Sequence, residues 1–88
     1  MLEKDVERYL VTRVQQRGGL CWKWVSPGKA GVPDRIVLLP NGQVSFLEIK
    51  RPGKKPSSLQ LYVLAQLEQL GCRAGWADSK EAVDAFLA

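Results

Sequence analysis

The sequence predicts a three-layer α/β/α sandwich, a four-stranded sheet covered by helices on both faces, with element order αβββαβα. Two observations lead there. In the hairpin of residues 36–50, Ile36, Leu38, Val44 and Phe46 alternate onto one face, and Val37, Leu39, Leu47 and Ile49 onto the other. A sheet apolar on both sides has to be covered on both sides. Three segments with helical spacing of apolar residues are available as cover. A chain of 88 residues has room for one domain with a modest core, and no internal repeat or low-complexity tract divides it.

Residues 2–17 read as the first helix, with Leu2, Val6, Tyr9, Leu10 and Val14 on one stripe and Gly18-Gly19 as its stop. Leu20 to Val25 form a short strand, placing Trp22 and Trp24 on one face and Cys21, Lys23 and Val25 on the other. A loop from Ser26 to Pro33 leads into Ile36 to Leu39 and Gln43 to Lys50, two strands joined at Pro40-Asn41-Gly42. After a basic Pro/Gly linker, Arg51 to Pro56, the segment Ser57 to Leu70 is helical, with Leu59, Val63, Leu67 and Leu70 on one side and Gly71 beyond its end. Arg73 to Ala77 make a fourth strand, and Ser79 or Asp78 caps a last helix running through Leu87.

Composition removes several classes of chemistry. The chain has no histidine, which excludes Ser-His and Cys-His nucleophiles and His-ligated zinc or iron, so any metal is held by oxygen. Cys21 and Cys72 are too far apart for a CxxC site and are expected to be buried free thiols. With no apolar run of about eighteen residues and no signal-peptide pattern, a cytoplasmic protein is expected. The net charge of +4 favours polyanions weakly, and more strongly if some carboxylates are gathered into a metal site.

Such a gathering is suggested by Pro33-Asp34, then thirteen residues, then Glu48-Ile49-Lys50. This PD…ExK pattern can set two metal-binding carboxylates and one ammonium around a phosphodiester. Whether the two acids meet depends on hairpin register. A two-residue Asn41-Gly42 loop would pair Pro40 with Gln43 and turn Asp34 to the wrong face, but it asks Pro40 for a backbone N–H it lacks. A three-residue loop, with a type I turn centred on Pro40-Asn41 and Gly42 left-handed in a G1 bulge, pairs Leu39 with Gln43. Asp34 then stands opposite Glu48, with Cβ atoms roughly 4.5–5.5 Å apart, and Lys50 follows on the same face. Lys50 offsets only one of two apposed negative charges; a divalent ion resolves the rest.

Gly31-Val32-Pro33-Asp34-Arg35, Phe46-Leu47-Glu48-Ile49-Lys50 and Ser57-Ser58-Leu59-Gln60 together resemble the VRR-NUC domain, a branch of the PD-(D/E)XK nucleases. Gly18-Gly19, Ser26-Pro27-Gly28 and Pro40-Asn41-Gly42 extend the match to nearly the whole chain. The resemblance implies a restriction-endonuclease-like fold with a mixed sheet and Mg²⁺- or Mn²⁺-dependent hydrolysis of DNA by a metal-activated water. For short stand-alone members it implies similarity to dimeric Holliday-junction resolvases of phage and bacteria, hence DNA repair or processing. By position, Asp34, Glu48 and the backbone carbonyl of Ile49 would hold the metal, Lys50 would be the catalytic lysine and Gln60 an accessory residue. An acid from the first helix often completes such sites; Glu7, at the edge of the apolar stripe, is the candidate, with Glu3 one turn earlier as the alternative. Gln60 has a second reading, as the partner of Ser57 in a capping box.

Lys29, Arg35, Arg51, Lys54 and Lys55 flank the proposed site and are candidate phosphate contacts. No base-reading element is visible, so DNA shape is the expected determinant. Trp22 and Trp24 suit core or interface anchoring better than base stacking. Leu61, Tyr62 and Leu64 leave the second helix apolar on more than one side, which a symmetric homodimer would cover. Gly28-Lys29-Ala30-Gly31 lacks the spacing of a nucleotide-binding loop, so no nucleotide cofactor is expected. The alternative function is a non-catalytic nucleic-acid-binding or assembly module of the same fold, although binding alone has no use for two opposed carboxylates.

Overall fold

The computed structural model describes residues 1–88, and its elements follow in the expected order: α1 (Glu3–Gln16), β1 (Leu20–Lys23), β2 (Arg35–Leu39), β3 (Gln43–Ile49), α2 (Ser58–Gln69), β4 (Arg73–Ala77) and α3 (Lys80–Leu87). The helix ends are set by local chemistry. At the start of α1 the Asp5 carboxylate accepts the Leu2 N–H at 2.7 Å, and that bond holds its pKa below the ordinary carboxylate value. The helix ends in a Schellman motif: the Gly18 N–H donates to the Gln15 carbonyl and the Gly19 N–H to that of Val14, each at 3.0 Å, with Gly18 at φ +79°. The end of α2 repeats the device. Gly71, at φ +90°, donates to Glu68 and Cys72 to Leu67. Of the two candidate caps for α3, Ser79 acts: its hydroxyl accepts the Ala82 N–H.

The sheet order is β1-β2-β3-β4, antiparallel across the first two pairs and parallel between β3 and β4, where α2 provides the crossover. One face carries Val37, Leu47, Ile49 and Ala77, all buried against Val6, Leu10 and Val14 of α1 and Val83 and Leu87 of α3. The Tyr9 hydroxyl donates to Asp84, and Arg13 pairs with the same carboxylate at 3.2 Å, joining the two helices at their outer edge. No helix is long and apolar enough to cross a membrane.

The other face lies under α2, and its cover is incomplete. Val63 and Leu64 are the buried residues of α2. Leu64 is therefore a core residue, while Leu59 and Leu70, expected on the buried stripe, are exposed along with Leu61 and Tyr62. The reason is that α2 packs mainly on β4 and leaves the β1 side of the sheet open, so Leu20, Trp22 and Val44 reach solvent as well. Trp24 packs its ring against Phe46 at 5.4 Å, whereas Trp22 is 56% exposed. Cys21 and Cys72 are free but half-buried rather than buried, because each lies in or beside an edge strand.

The hairpin has the register argued from Pro40: Leu39 pairs with Gln43 and Arg35 with Leu47. The turn that produces it differs from expectation. Asn41 and Gly42 are both left-handed, at φ 69° and 72°, so Pro40-Asn41 is not the centre of a type I turn. Asparagine tolerates that conformation better than other side-chain-bearing residues, which lets the loop keep three residues by another path.

Candidate active site

Arg35 and Leu47 are the last pair at the open end of the β2–β3 ladder, and one step further Asp34 and Glu48 stand opposite each other. The ladder on either side continues this row. The Trp24 N–H donates to the Asp34 carbonyl at 2.8 Å, and Glu48 is the register partner of Trp76 across the parallel β3–β4 pair. The acid pair thus occupies the centre of the sheet with a half-buried tryptophan on each flank.

Glu48 is only 2% exposed. Its Oε2 accepts from the Gln60 side-chain amide at 3.0 Å and lies 3.3 Å from the Lys50 Nζ. Its Oε1 is buried with no hydrogen-bond partner. Burial, and next the negative charge of Asp34, push the Glu48 pKa from 4.5 up to about 7, against the pull of Lys50. Asp34 is steadied by the backbone: its Oδ2 accepts the Ile49 N–H at 3.0 Å. Lys50 itself is anchored through its N–H to the Ala77 carbonyl, at 2.9 Å, and its side chain is only 12% exposed.

Gln60 forms the capping box and also contacts Glu48. Its Oε1 accepts the Ser57 N–H at 2.9 Å, its own N–H donates to the Ser57 hydroxyl, and its Nε2 reaches Glu48. The capping box therefore aims the amide at the buried carboxylate. Gln60→Ala is expected to push the Glu48 pKa higher still and to destabilise the fold by about 1 kcal/mol. Carboxyl-carbon NMR titration and urea unfolding measure the two effects, and an unmoved Glu48 resonance would contradict the first.

Glu7 is not brought into this group. Its carboxylate meets Arg35, whose Nε and Nη2 both lie 3.4 Å from Oε2, and no three acidic, cysteine or histidine side chains are grouped closely enough to hold a metal. The reason is the sheet itself: Arg35 and Asp34 are successive residues and point to opposite faces. The same pair alters the expectation for Arg35. With a side chain only 14% exposed and a further bond to the Cys21 carbonyl, it is committed internally rather than offered to phosphate. Arg51, Lys54 and Lys55 are exposed beside Lys50, and Lys29 is exposed on the loop preceding Asp34.

Sequence reasoning missed Trp76 and Asp78. Asp78 appeared only as a possible helix cap, yet its Oδ2 accepts the Gly53 N–H at 3.2 Å. Both lie in or next to β4, whose parallel register against β3 has no local signature.

No family model matches the chain. It is 47% identical over 79 residues to "Putative nuclease p44" of Acyrthosiphon pisum secondary endosymbiont phage 1, a match spanning 90% of this chain and 85% of that protein. A solved structure described as a VRR_NUC domain superposes with a TM-score of 0.89 at 29% identity, covering 99% of this chain and 96% of the other. Together with the fold, the likeness to both over nearly their full lengths places this chain in the VRR-NUC family of nuclease domains.

Proposed function

We propose that this protein is a divalent-metal-dependent endonuclease of the PD-(D/E)XK type that hydrolyses phosphodiester bonds in DNA, with branched DNA such as a Holliday junction as its preferred substrate. The observation that carries this reading is the apposition of Asp34 and Glu48 beside Lys50, with one Glu48 oxygen buried and unpartnered. A buried, unsatisfied carboxylate oxygen is costly unless something binds it. The donors available are all hard oxygens, which suits Mg²⁺ or Mn²⁺ rather than softer metals.

Asp34, Glu48 and the backbone carbonyl of Ile49 are the groups that would hold the ion. When bound, a divalent ion supplies Lewis acidity toward water and phosphate oxygen. The chain's own part is positional and electrostatic. The Ile49 N–H and the Gln60 amide orient the two carboxylates, and Lys50 presents a fixed ammonium toward charge developing on the phosphate.

The test is cleavage of labelled four-way-junction, flap, duplex and single-stranded DNA in Mg²⁺, Mn²⁺ or EDTA. Asp34→Ala and Lys50→Ala are each expected to lower cleavage by about 10²–10³-fold or more. Wild-type protein that cuts nothing in either metal, or variants that cut as well as wild type, would overturn the reading in favour of a non-catalytic module. The exposed Leu20, Trp22, Val44, Leu61 and Tyr62 support a homodimer, which would present two such sites to a junction. The proposed place of action is the cytoplasm of a bacterial or phage-infected cell.

A further inference from the structure

Directly after Lys50 the chain makes a tight turn, Arg51-Pro52-Gly53-Lys54. The Lys54 N–H donates to the Arg51 carbonyl at 3.0 Å, proline occupies the second position, and Gly53 takes the third at φ +83°. These are the marks of a type II turn. Two bonds from consecutive residues at the end of β4 hold it: the Ala77 carbonyl takes the Lys50 N–H, and the Asp78 carboxylate takes the Gly53 N–H. Arg51 and Lys54 stand at the two corners of the turn, both exposed. Neither belongs to any of the three ion pairs in the structure.

We infer that this turn is a preorganised clamp for backbone phosphates adjoining the active site, and that Asp78 is the positioning residue that holds it in shape. The inference rests on the reading of the protein as one that acts on nucleic acid. A Pro/Gly/Lys segment left free would lose its conformational entropy on binding, glycine most of all. Pinning Gly53 in the free protein removes part of that cost. An acid is an unexpected choice beside a phosphate-binding turn, because by Coulomb's law alone Asp78 repels the ligand. Its two effects therefore oppose each other and can be separated experimentally.

Asp78→Asn keeps an oxygen acceptor for the Gly53 N–H and removes the charge; Asp78→Ala removes both. Binding of 5′-fluorescein-labelled junction and duplex DNA is measured by anisotropy in EDTA, so that no cleavage intervenes, with thermal unfolding of each variant recorded alongside. Expected is a Kd for Asp78→Asn equal to or tighter than that of wild type, and about three- to tenfold weaker binding for Asp78→Ala. Gly53→Ala disturbs the turn without touching Asp78, since an alanine Cβ there meets no atom within 4 Å but must adopt a left-handed backbone. It should weaken binding in the same way.

Arg51→Ala with Lys54→Ala should lower the salt slope of binding by about two, one per lost phosphate contact. In that background Asp78→Ala should cause no further loss of binding, and relief of the carboxylate's repulsion should leave it equal or slightly tighter, a non-additivity that a merely structural role would not produce. In metal-supported cleavage Asp78→Ala should raise KM and leave kcat unchanged. The inference is overturned if Asp78→Ala binds as tightly as wild type or tighter, if its loss persists in the Arg51/Lys54 background, or if wild type shows no DNA binding. Wild type that binds with the expected order of variants but does not cut would overturn the nuclease reading and leave the clamp standing.

Discussion

Replacing Glu48 with glutamine is expected to abolish cleavage and, at the same time, to stabilise the metal-free protein above neutral pH. The two effects have one cause. The Glu48 carboxyl is buried next to Asp34, and the fold raises its pKa from 4.5 to about 7. Between those values the folded chain retains a proton that the unfolded chain has released. The stability associated with this group is therefore complete below about pH 4.5 and is lost as pH rises through about 7, by roughly 3 kcal/mol in all. Glutamine has nearly the same shape and never ionises, so at pH 8 it escapes that loss, while its neutral amide is a far poorer ligand for a divalent ion. Cleavage should fall by about 10³-fold. Urea unfolding in EDTA at pH 5 and pH 8 gives the first quantity and junction cleavage the second. A variant less stable than wild type at pH 8, or one that cuts at a rate close to wild type, would contradict the account of Glu48 as a buried carboxylate held for a metal.

Gly19→Ala should damage the fold more than any other single methyl addition at a glycine. An alanine Cβ at this position would lie 2.3 Å from the Leu38 carbonyl oxygen and 3.0 Å from both Leu39 Cδ2 and Val14 Cγ1. The first contact is with backbone in the neighbouring strand, so no rotamer change relieves it. Gly19 also closes the Schellman motif of α1 by donating to Val14, which ties the helix end to the start of β1. Moving it would unlock both elements, and a loss of about 3 kcal/mol or more is expected. A shifted midpoint in urea unfolding checks this, with Gly28→Ala as the control because its Cβ would meet nothing within 4 Å. An unchanged midpoint for Gly19→Ala would show that β1 and β2 separate more easily than the packing implies.

The central site was legible in the sequence because the information that makes it is local. Asp34 and Glu48 are joined by one hairpin, and the side-chain alternation of strands leaves only two outcomes for a pair of residues across it. Pro40, by lacking an N–H, chooses between them, and that choice survives even though Asn41 takes a left-handed conformation instead of the one expected. Ser57-x-x-Gln60 was equally local as a cap; its reach to Glu48 was not. The placement of Glu7 failed for a complementary reason. Helical periodicity puts it at the edge of a stripe but does not say which face of the sheet that stripe covers, and α1 lies on the face carrying Arg35 rather than the face carrying Asp34.

Sequence alone determined the order of elements, the hairpin register and the apposition of Asp34, Glu48 and Lys50, because each depends on spacing, chirality and hydrogen-bonding capacity within a few tens of residues. Only the tertiary structure decided what surrounds them: Trp76 beside Glu48, Asp78 under Gly53, Arg35 turned away to Glu7, and the open apolar ground around Leu20, Trp22 and Val44. Those relations depend on the parallel pairing of β3 with β4 across a whole intervening helix, and on where α2 settles on the sheet. Packing of distant surfaces selects both, and no short stretch of chain encodes either.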